Sequence, residues 1–189
     1  MRKKKQNEIA YVFDLDNTLI DTQAKVKIWD KEGKVYSEFN SQQYNKFSHD
    51  YTVRENCTMD FSEFESFEQL MKEPLLPLFE KLKKIHDQKG EKNIFICTAR
   101  TKPWMIWNWL TEHGIFIPKQ NVLCKFLEEA TEDHKARSVR NLSRIFDFIT
   151  IYEDENQYRF AMEEVLQNTD CEFEIHDPNE YNKSDFTLI

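Results

Sequence analysis

Ile9-Ala-Tyr-Val-Phe13 runs directly into Asp14-Leu-Asp-Asn-Thr18, and this stretch decides how the rest of the sequence is interpreted. A short apolar run that ends abruptly in polar residues is typical of a buried strand that enters a loop. The same pattern recurs twice, at Asn93-Ile-Phe-Ile-Cys97 before Thr98-Ala-Arg100 and at Phe148-Ile-Thr-Ile-Tyr152 before Glu153-Asp154. The sequence therefore predicts three buried strands that all end in polar side chains.

Helical patterns separate these strands. They cover residues 67–88, 103–113, 133–146 and 156–167, and weaker strands are predicted at residues 121–125 and 171–175. Gly90 and Gly114 stand where helices are expected to end. Alternating strands and helices predict an α/β fold, with three Rossmann-like layers around a mostly parallel central sheet. In such folds the active site lies at the carboxyl ends of the strands.

Residues 24–64 interrupt this alternation. Lys25-Val-Lys-Ile-Trp-Asp-Lys-Glu-Gly-Lys-Val-Tyr36 alternates polar with apolar residues around a Glu32-Gly33 turn, which predicts a hairpin. Residues 40–60 show no clear period and are expected to form a loop or a short helix. We interpret residues 24–64 as a flap or cap inserted after the first strand of a single domain, residues 1–189.

Composition restricts the classes of protein to consider. The 189 residues are 40% hydrophobic and 32% charged, which suits one folded core. No apolar run approaches the roughly 20 residues of a membrane span, and no signal peptide is evident, so a cytoplasmic location without membrane contact is expected. The four cysteines contain no C-x-x-C pair, so neither a zinc site nor a disulfide framework is indicated. A net charge of −8 argues against indiscriminate nucleic-acid binding but permits a local basic patch.

Asp14 and Asp16 stand two residues apart at a strand end, so in an extended segment both carboxylates could face one cleft. Such a pair suits Mg²⁺, which is bound by one or two carboxylates together with a substrate phosphate. It also suits covalent phosphoryl transfer, in which one carboxylate attacks phosphorus and the other moves the proton. The alternative is a turn in which Asp and Asn side chains only cap the backbone, and this motif alone does not decide between them.

The longer stretch Phe13-Asp-Leu-Asp-Asn-Thr-Leu-Ile20 resembles the first signature of the haloacid-dehalogenase (HAD) superfamily of phosphohydrolases. Three further stretches resemble its remaining signatures in the family's order: Ile94-Phe-Ile-Cys-Thr98, His134-Lys-Ala-Arg137 and Ile149-Thr-Ile-Tyr-Glu-Asp154. The resemblance spans residues 9–176 and implies a HAD fold and a phosphatase.

The resemblance implies a role for each catalytic residue. Asp14 would be the nucleophile that becomes phosphorylated, and Asp16 the general acid and base. Lys135 would neutralise the phosphoryl oxygens, although a solvated helix lysine is the ordinary alternative, and Lys119, Lys125 and Arg137 are nearby competitors. Phosphate or substrate binding would involve Thr18, Thr98, Ala99 and Arg100. Thr98 could instead cap a helix, and Arg100 could pair with a carboxylate.

The implied cofactor is Mg²⁺. The resemblance assigns it to Asp14, Asp154 and the backbone carbonyl of Asp16, with Glu153 acting through a water molecule. Glu153-Asp154 departs from the family's commoner pair of aspartates, which leaves the details of the metal shell open.

A looser resemblance points to one kind of HAD phosphatase, the phosphatase domain of phage-type polynucleotide kinase/phosphatase and its stand-alone relatives. It rests on four stretches: Asp60-Phe-Ser-Glu-Phe64, Thr98-Ala-Arg100, Trp109-Leu-x-x-His-Gly-Ile115 and Glu153-Asp-Glu-Asn-Gln157. It implies removal of a terminal phosphate, particularly a 3′-phosphate, from a nucleic-acid end or a nucleotide, in the host cytoplasm if the protein is phage-encoded. No G-x-x-x-x-G-K-[ST] loop is present, so kinase activity is not expected.

Two other functions stay open at this stage. A phosphatase of the same mechanism could act on a small metabolite, which a narrow pocket under the flap would favour, whereas an open groove with Arg100, Lys102 or Arg54 would favour a strand end. A catalytically silent binding protein is disfavoured by the two adjacent acids, and no obligate protein partner is evident. On the helix predicted over residues 103–113, Trp104 and Trp107 are expected to pack in the core rather than stack on bases.

Overall fold

The computed structural model describes residues 8–41, 43–44 and 57–180, without the side chain of Tyr36. Arg54 lies outside the described residues. The chain divides into two compact units, one made of residues 1–20 and 75–189 and the other of residues 21–74.

The strands are β1 (Ile9–Phe13), β2 (Val26–Trp29), β3 (Val35–Phe39), β4 (Thr58–Asp60), β5 (Ile94–Thr98), β6 (Val122–Cys124), β7 (Phe148–Tyr152) and β8 (Glu172–His176). The α-helices are α1 (Phe67–Lys72), α2 (Leu78–Lys89), α3 (Pro103–Glu112), α4 (Thr131–Leu142) and α5 (Asn156–Leu166). Short 3₁₀ helices, Glu91–Asn93 and Lys119–Asn121, precede β5 and β6.

The larger unit contains a parallel sheet with the strand order β6-β5-β1-β7-β8. β1 lies at its centre, and Phe13 is in register with Ile96 of β5 and Tyr152 of β7. The chain builds one side of the sheet through β5 and β6 and then crosses to the other side for β7 and β8. This reversal beside β1 opens a crevice at the carboxyl ends of the strands. The predicted α/β fold with a central parallel sheet is confirmed.

Both faces of this sheet are covered by helices, because alternate strand residues point to opposite faces. On one face, Val12 and Ile151 belong to an apolar cluster with Val139 and Leu142 of α4 and Met162 of α5. Fully burying such a side chain contributes roughly 1.5–3 kcal/mol.

On the opposite face, Phe13 stacks on Tyr152 with ring centroids 4.8 Å apart, and Lys81 of α2 lies over the Tyr152 ring. Phe79 of α2 packs edge-on against the fully buried Trp109 of α3. Helices therefore lie on both sides of the sheet, which gives the three predicted layers.

Two predicted helices have different bounds. The single helix expected over residues 67–88 is wrong: α1 ends at Lys72 and α2 begins at Leu78. Pro74 and Pro77 lie in the gap, and proline cannot donate the hydrogen bond that a helix interior requires. Leu76 instead donates its N–H to the carbonyl of Leu19 at 2.9 Å. The helix expected over residues 133–146 is α4, which begins earlier and ends four residues sooner.

The smaller unit contains an antiparallel sheet in the order β3-β2-β4. The predicted hairpin is confirmed as β2 and β3, with Gly33 at a φ of 75° in the turn. Asp30 accepts hydrogen bonds at 2.9 Å from the N–H groups of Glu32 and Lys34, which stabilises the turn. The short strand β4 was not predicted, since three residues show no readable alternation. The role of residues 24–64 as a flap stays a prediction.

Across the part of the chain that the structure describes, no helix combines the length and the apolar character needed to cross a bilayer.

Candidate active site

The turn after β1 sets the direction of the first polar residues. The N–H of Asp14 donates to the carbonyl of Tyr152 at 2.9 Å, so the sheet pairing continues to this residue. The chain then turns tightly: Asn17 has a φ of 60°, and the carbonyl of Leu15 accepts the N–H of Leu19 at 2.9 Å. Asn tolerates this left-handed conformation better than most residues. The turn directs Thr18 back toward the strand ends.

Lys135 is the cation at the centre of the site. It projects from the second turn of α4 and is 2% exposed. Its Nζ donates to Oδ1 of Asp14 at 2.8 Å and to Oε2 of Glu153, and it lies 4.6 Å from the ring centroid of Tyr158. The structure thus brings together an ammonium and carboxylates that are 121 and 18 residues apart in the chain.

The other basic candidates make different contacts. Lys119 lies over the Trp107 ring, at 4.4 Å from its centroid, and Arg137 forms two hydrogen bonds with Glu129. Of these, Lys135 is the one that the structure brings to Asp14.

Asp14, Glu153 and Asp154 form what we call the acidic cluster. Each offers one carboxylate oxygen, and these oxygens all lie within 4.8 Å of one another. Asp14 and Glu153 are almost fully buried, at 5% and 2% exposure. Three carboxylates thus share a small volume with a single ammonium, that of Lys135.

The electrostatics of the acidic cluster reflect this imbalance. Burial raises the pKa of Asp14, and Lys135 opposes that rise. Burial also raises the pKa of Glu153 well above its ordinary value, and burial together with Asp14 raises that of Asp154 to about 7. Burial alone would lower the pKa of Lys135, but the carboxylates of Asp14 and Glu153 raise it well above the usual value. The carboxylates therefore resist ionisation, and an added positive charge would relieve their repulsion.

The acidic cluster fits a magnesium ion by its donor chemistry. Mg²⁺ takes oxygen ligands at about 2.1 Å, so opposite ligands of one ion lie about 4.2 Å apart. The three oxygens of the cluster all lie within 4.8 Å of one another, so one ion could contact all of them. Its uncompensated negative charge is the second requirement for binding a cation. Asp14, Glu153 and Asp154 are the residues that could hold the ion.

The two threonines are both buried and contact other site residues. Thr18 is completely buried, and its hydroxyl donates to Oδ1 of Asp154 at 3.4 Å, which orients that carboxylate. Thr98 ends β5, and its Oγ1 accepts the N–H of Arg100 at 3.2 Å. This contact defines the turn after β5, with the half-buried Ala99 between them.

Asp16 lies beside the acidic cluster but contacts a different cation. Nε of Arg100 donates to Oδ2 of Asp16 at 3.0 Å, and Nη2 donates to Oδ1 at 2.7 Å. The Arg100 side chain is 2% exposed and that of Asp16 is 15% exposed, so this two-point pair lies at the inner wall of the crevice. The sequence left open whether Arg100 binds a phosphate or pairs with a carboxylate. The structure contains the pair with a carboxylate, that of Asp16. A metal contact of Asp16 through its backbone carbonyl stays a prediction, as do the assigned roles of the other site residues.

Arg159 is a site residue that the sequence reasoning missed. One of its guanidinium nitrogens, Nη1, donates to the backbone carbonyls of Glu153 and Asp154, both at 2.7 Å, and Nη2 pairs with Asp177 at 3.0 Å. It thereby holds the loop that carries two of the three acids. A signal was available, because helix side chains lean toward the N-terminus, and Arg159 lies in the first turn of α5, just after that loop.

Comparisons with known proteins leave the family open. Neither a scan of protein-family models nor a search of curated proteins found a match. Among solved structures, the HAD domain of the effector protein Lem4 from Legionella pneumophila is similar to this chain, with 13% identity and a TM-score of 0.41. The alignment covers 96% of each chain. A similarity at this level carries no conclusion about activity.

Proposed function

We propose that this protein is a Mg²⁺-dependent phosphomonoesterase of the HAD type, which works through an aspartyl-phosphate on Asp14. The observation that carries the proposal is the meeting of Asp14, Lys135, Glu153 and Asp154 at the carboxyl end of a parallel sheet, with Asp16 beside them. This grouping combines a nucleophile, a charge-neutralising ammonium, cation ligands and a second acid in one crevice.

The reaction would proceed in two displacements. An oxygen of the Asp14 carboxylate attacks phosphorus, the bond from phosphorus to the leaving oxygen breaks, and Asp16 gives its proton to that oxygen. Water then attacks the aspartyl-phosphate, Asp16 takes the proton from this water, and inorganic phosphate leaves while the Asp14 carboxylate is restored. The net change consumes one water molecule for each ester bond that is cleaved.

Other residues of the site would position the reacting groups. Lys135 already donates to Asp14 at 2.8 Å, so it favours the ionised carboxylate, orients it for attack and reduces its repulsion of the incoming phosphate. A Mg²⁺ ion held by the acidic cluster would supply further positive charge opposite the phosphoryl oxygens. Thr18 and Arg159 would keep the loop of Glu153 and Asp154 in place.

The substrate in this proposal is a terminal phosphate, particularly a 3′-phosphate, on a polynucleotide or nucleotide. Support comes from the resemblance of Thr98-Ala-Arg100 and Glu153-Asp-Glu-Asn-Gln157 to phage-type polynucleotide phosphatases. Arg100 adds support because it lies against Asp16, the residue expected to face the leaving group. Guanidinium groups bind phosphate oxygens through two hydrogen bonds, so Arg100 could exchange Asp16 for substrate.

A substrate panel tests the proposal. Purified protein with Mg²⁺ is given p-nitrophenyl phosphate, 3′-phosphorylated oligonucleotides, 3′-mononucleotides and sugar phosphates, and the released phosphate is measured. Asp14→Asn keeps the side-chain shape but removes the nucleophile, so kcat should fall roughly 10³-fold or more on every substrate. Chelation of the metal should stop turnover by the wild type.

The matched control is Asp170→Asn, the same change at an exposed residue before β8, on the opposite edge of the sheet. This variant should retain wild-type turnover. Acid-quenched reactions with ³²P-labelled substrate should carry label on the wild type and none on Asp14→Asn. Normal turnover by Asp14→Asn would exclude the covalent route, and unchanged rates in chelator would exclude the metal. Turnover of sugar phosphates alone would contradict the nucleic-acid substrate and would show that the enzyme acts on a small metabolite.

A further inference from the structure

Two aromatic side chains that follow strands at the carboxyl edge of the sheet are largely exposed. Trp104, in the first turn of α3, is 56% exposed, and Phe126, after β6, is 69% exposed. The expectation that Trp104 packs in the core is therefore wrong, whereas Trp109 is completely buried and Trp107 donates to the carbonyl of Ile117 at 2.9 Å. Exposed apolar side chains that lie together on a surface are typical of binding sites, whereas isolated ones are common.

Both aromatic residues follow neighbouring strand ends beside Arg100. β5 and β6 are paired in parallel, with Thr98 in register with Cys124. The segments that follow stay together, because the N–H of Lys125 donates to the carbonyl of Arg100 at 3.1 Å. Phe126 is the next residue after this contact, and Trp104 lies four residues after Arg100. The two aromatic residues thus follow adjacent parallel strands at the same edge of the sheet, and we call the edge formed by these two segments the rim.

This rim is on the side where the leaving group would depart. Arg100 holds the carboxylate of Asp16 through two hydrogen bonds, and under the proposed function Asp16 protonates the leaving oxygen. The group attached to that oxygen must then extend past Asp16 and Arg100. The phosphoryl group itself would lie deeper, at Asp14 and Lys135.

The charge of the rim suits a polyanion, although the chain as a whole is acidic. Lys102 lies two residues after Arg100, and Lys125 donates its backbone N–H to the carbonyl of Arg100. The guanidinium carbon of Arg137 lies 5.3 Å from the Phe126 ring centroid. Glu129 is already bound by Arg137 at 2.8 Å, which leaves the exposed Glu128 as the acidic neighbour on this loop. Basic side chains beside exposed rings are the combination with which proteins bind single-stranded nucleic acid.

We infer that Trp104 and Phe126 form a stacking platform for the bases next to the terminal phosphate, so that the preferred substrate is a single-stranded nucleic-acid end. The inference rests on the proposed function and specifies its substrate. Bases stack on the two rings, Lys102 and Lys125 contact the backbone phosphates, and the terminal phosphate reaches Asp14. A mononucleotide can use at most part of this platform.

The test compares a 3′-phosphorylated thymidine octamer with thymidine 3′-phosphate, through the ratio of their kcat/KM values. The wild type should prefer the octamer. The double variant Trp104→Ala/Phe126→Ala should reduce this ratio about tenfold or more, because stacking contributes substantially for each base. The loss should appear in KM for the octamer rather than in kcat. Trp104→Tyr should retain most of the ratio, since it keeps an aromatic face.

The control is Phe116→Ala, which removes an exposed aromatic residue of similar exposure, 53%, from the segment that precedes β6. It should leave the ratio at the wild-type value. Circular dichroism checks that each variant is folded. Substitutions at exposed positions are expected to leave the fold intact. Equal kcat/KM for octamer and mononucleotide in the wild type, or an unchanged ratio in the double variant, would overturn the platform while leaving the phosphatase intact. No turnover of any phosphomonoester would overturn the proposed function itself.

A phosphotyrosyl peptide is included because its ring could also stack on the rim. If the double variant lost activity on the peptide and kept its octamer preference, the platform would serve a protein substrate and the nucleic-acid inference would fail. Loss of octamer preference with little change on the peptide would support the inference.

Discussion

The smaller unit buries the carboxylate of Glu73, and the larger unit buries those of Asp14 and Glu153 in the acidic cluster. The two environments differ in how many hydrogen-bond donors each carboxylate receives. In the smaller unit, Glu73 is 5% exposed and accepts hydrogen bonds from the N–H groups of Gln23 and Ala24, at 2.6 and 3.1 Å, and from Gln69 at 3.1 Å. In the larger unit, the ammonium of Lys135 donates to Asp14 and Glu153, and the third carboxylate of the acidic cluster, that of Asp154, accepts from Thr18.

The difference separates an acid that stabilises the fold from acids that are suited to binding a cation. The charge of Glu73 is matched by donors of its own unit, two of them backbone N–H groups, so its hydrogen bonds are part of folding. The acidic cluster contains more negative charge than its neighbours offset, and burial raises the pKa values of all three acids. A buried surplus of one charge costs stability, and a cation or a substrate can relieve it.

Removal of the single ammonium gives the largest expected effect. Lys135→Met preserves much of the side-chain volume but leaves the acidic cluster without its cation, so the free energy of unfolding in chelator should fall by about 3–5 kcal/mol. Turnover should be lost as well. Urea unfolding measures the first effect, with the exposed Lys84→Met as a control that should match the wild type. A Lys135→Met variant as stable as the wild type would mean that Lys135 does not offset the cluster.

Glu73→Gln tests the structural acid. The amide presents a donor where the carboxylate accepted backbone N–H groups, so the smaller unit should lose about 1–3 kcal/mol of stability. Hydrogen exchange of the backbone amides of Gln23 and Ala24 should become faster. Glu68→Gln, in helix α1 that directly precedes Glu73, removes only an exposed pair with Lys72 and should leave exchange unchanged. If the amides of Gln23 and Ala24 exchanged as slowly in Glu73→Gln as in the wild type, the smaller unit would not depend on this carboxylate.

Asp154→Asn should raise the free energy of unfolding, whereas Lys135→Met and Glu73→Gln should lower it. In chelator the variant relieves repulsion in the acidic cluster and should be more stable than the wild type by about 1 kcal/mol. The folded pKa of about 7 lies above the ordinary 3.8, so the wild type loses stability as the pH rises between these values. The advantage of the variant should therefore grow over that range, as followed by thermal unfolding. With Mg²⁺ present the wild type should be more stable than the variant, because the variant binds the ion more weakly.

The smallest effect belongs to Glu63 in the smaller unit. The N–H of Lys25 and the side chain of Lys27 hold the pKa of Glu63 below its ordinary 4.5. A lowered folded pKa stabilises the protein above the unfolded pKa, and this contribution is lost as the pH falls through the folded value. Glu63→Gln should be slightly less stable than the wild type at pH 6, and the difference should vanish at acidic pH. A difference that grew on acidification would contradict this sign.

Local sequence patterns predicted most of the larger unit. β1 and β7 have the expected bounds, and β5, β6 and β8 differ by one or two residues, because continuous apolar runs bounded by polar residues encode buried strands locally. The one substantial error, a single helix over residues 67–88, came from giving apolar periodicity more weight than Pro74 and Pro77. Three-residue β4 was too short to carry a pattern.

For the candidate site, the chain order predicted which residues stand at strand ends but not which partners they meet. The pairing of Lys135 with Asp14, of Arg100 with Asp16 and of Arg159 with the loop carbonyls depends on the order of strands in the sheet. That order joins segments that are distant in sequence, so no local pattern contains it. The exposure of Trp104 was missed for the same reason, since helical periodicity does not tell which face a neighbouring helix or strand will cover.

The sequence by itself determined the alternating strands and helices, the hairpin and the acidic strand ends, because hydrophobic periodicity and turn residues act over a few neighbouring positions. The tertiary structure decided that three carboxylates gather beside one lysine, that an arginine holds the second aspartate, and that two aromatic rings remain exposed after adjacent strands. These features are set by close contacts between distant segments, where burial and charge act together.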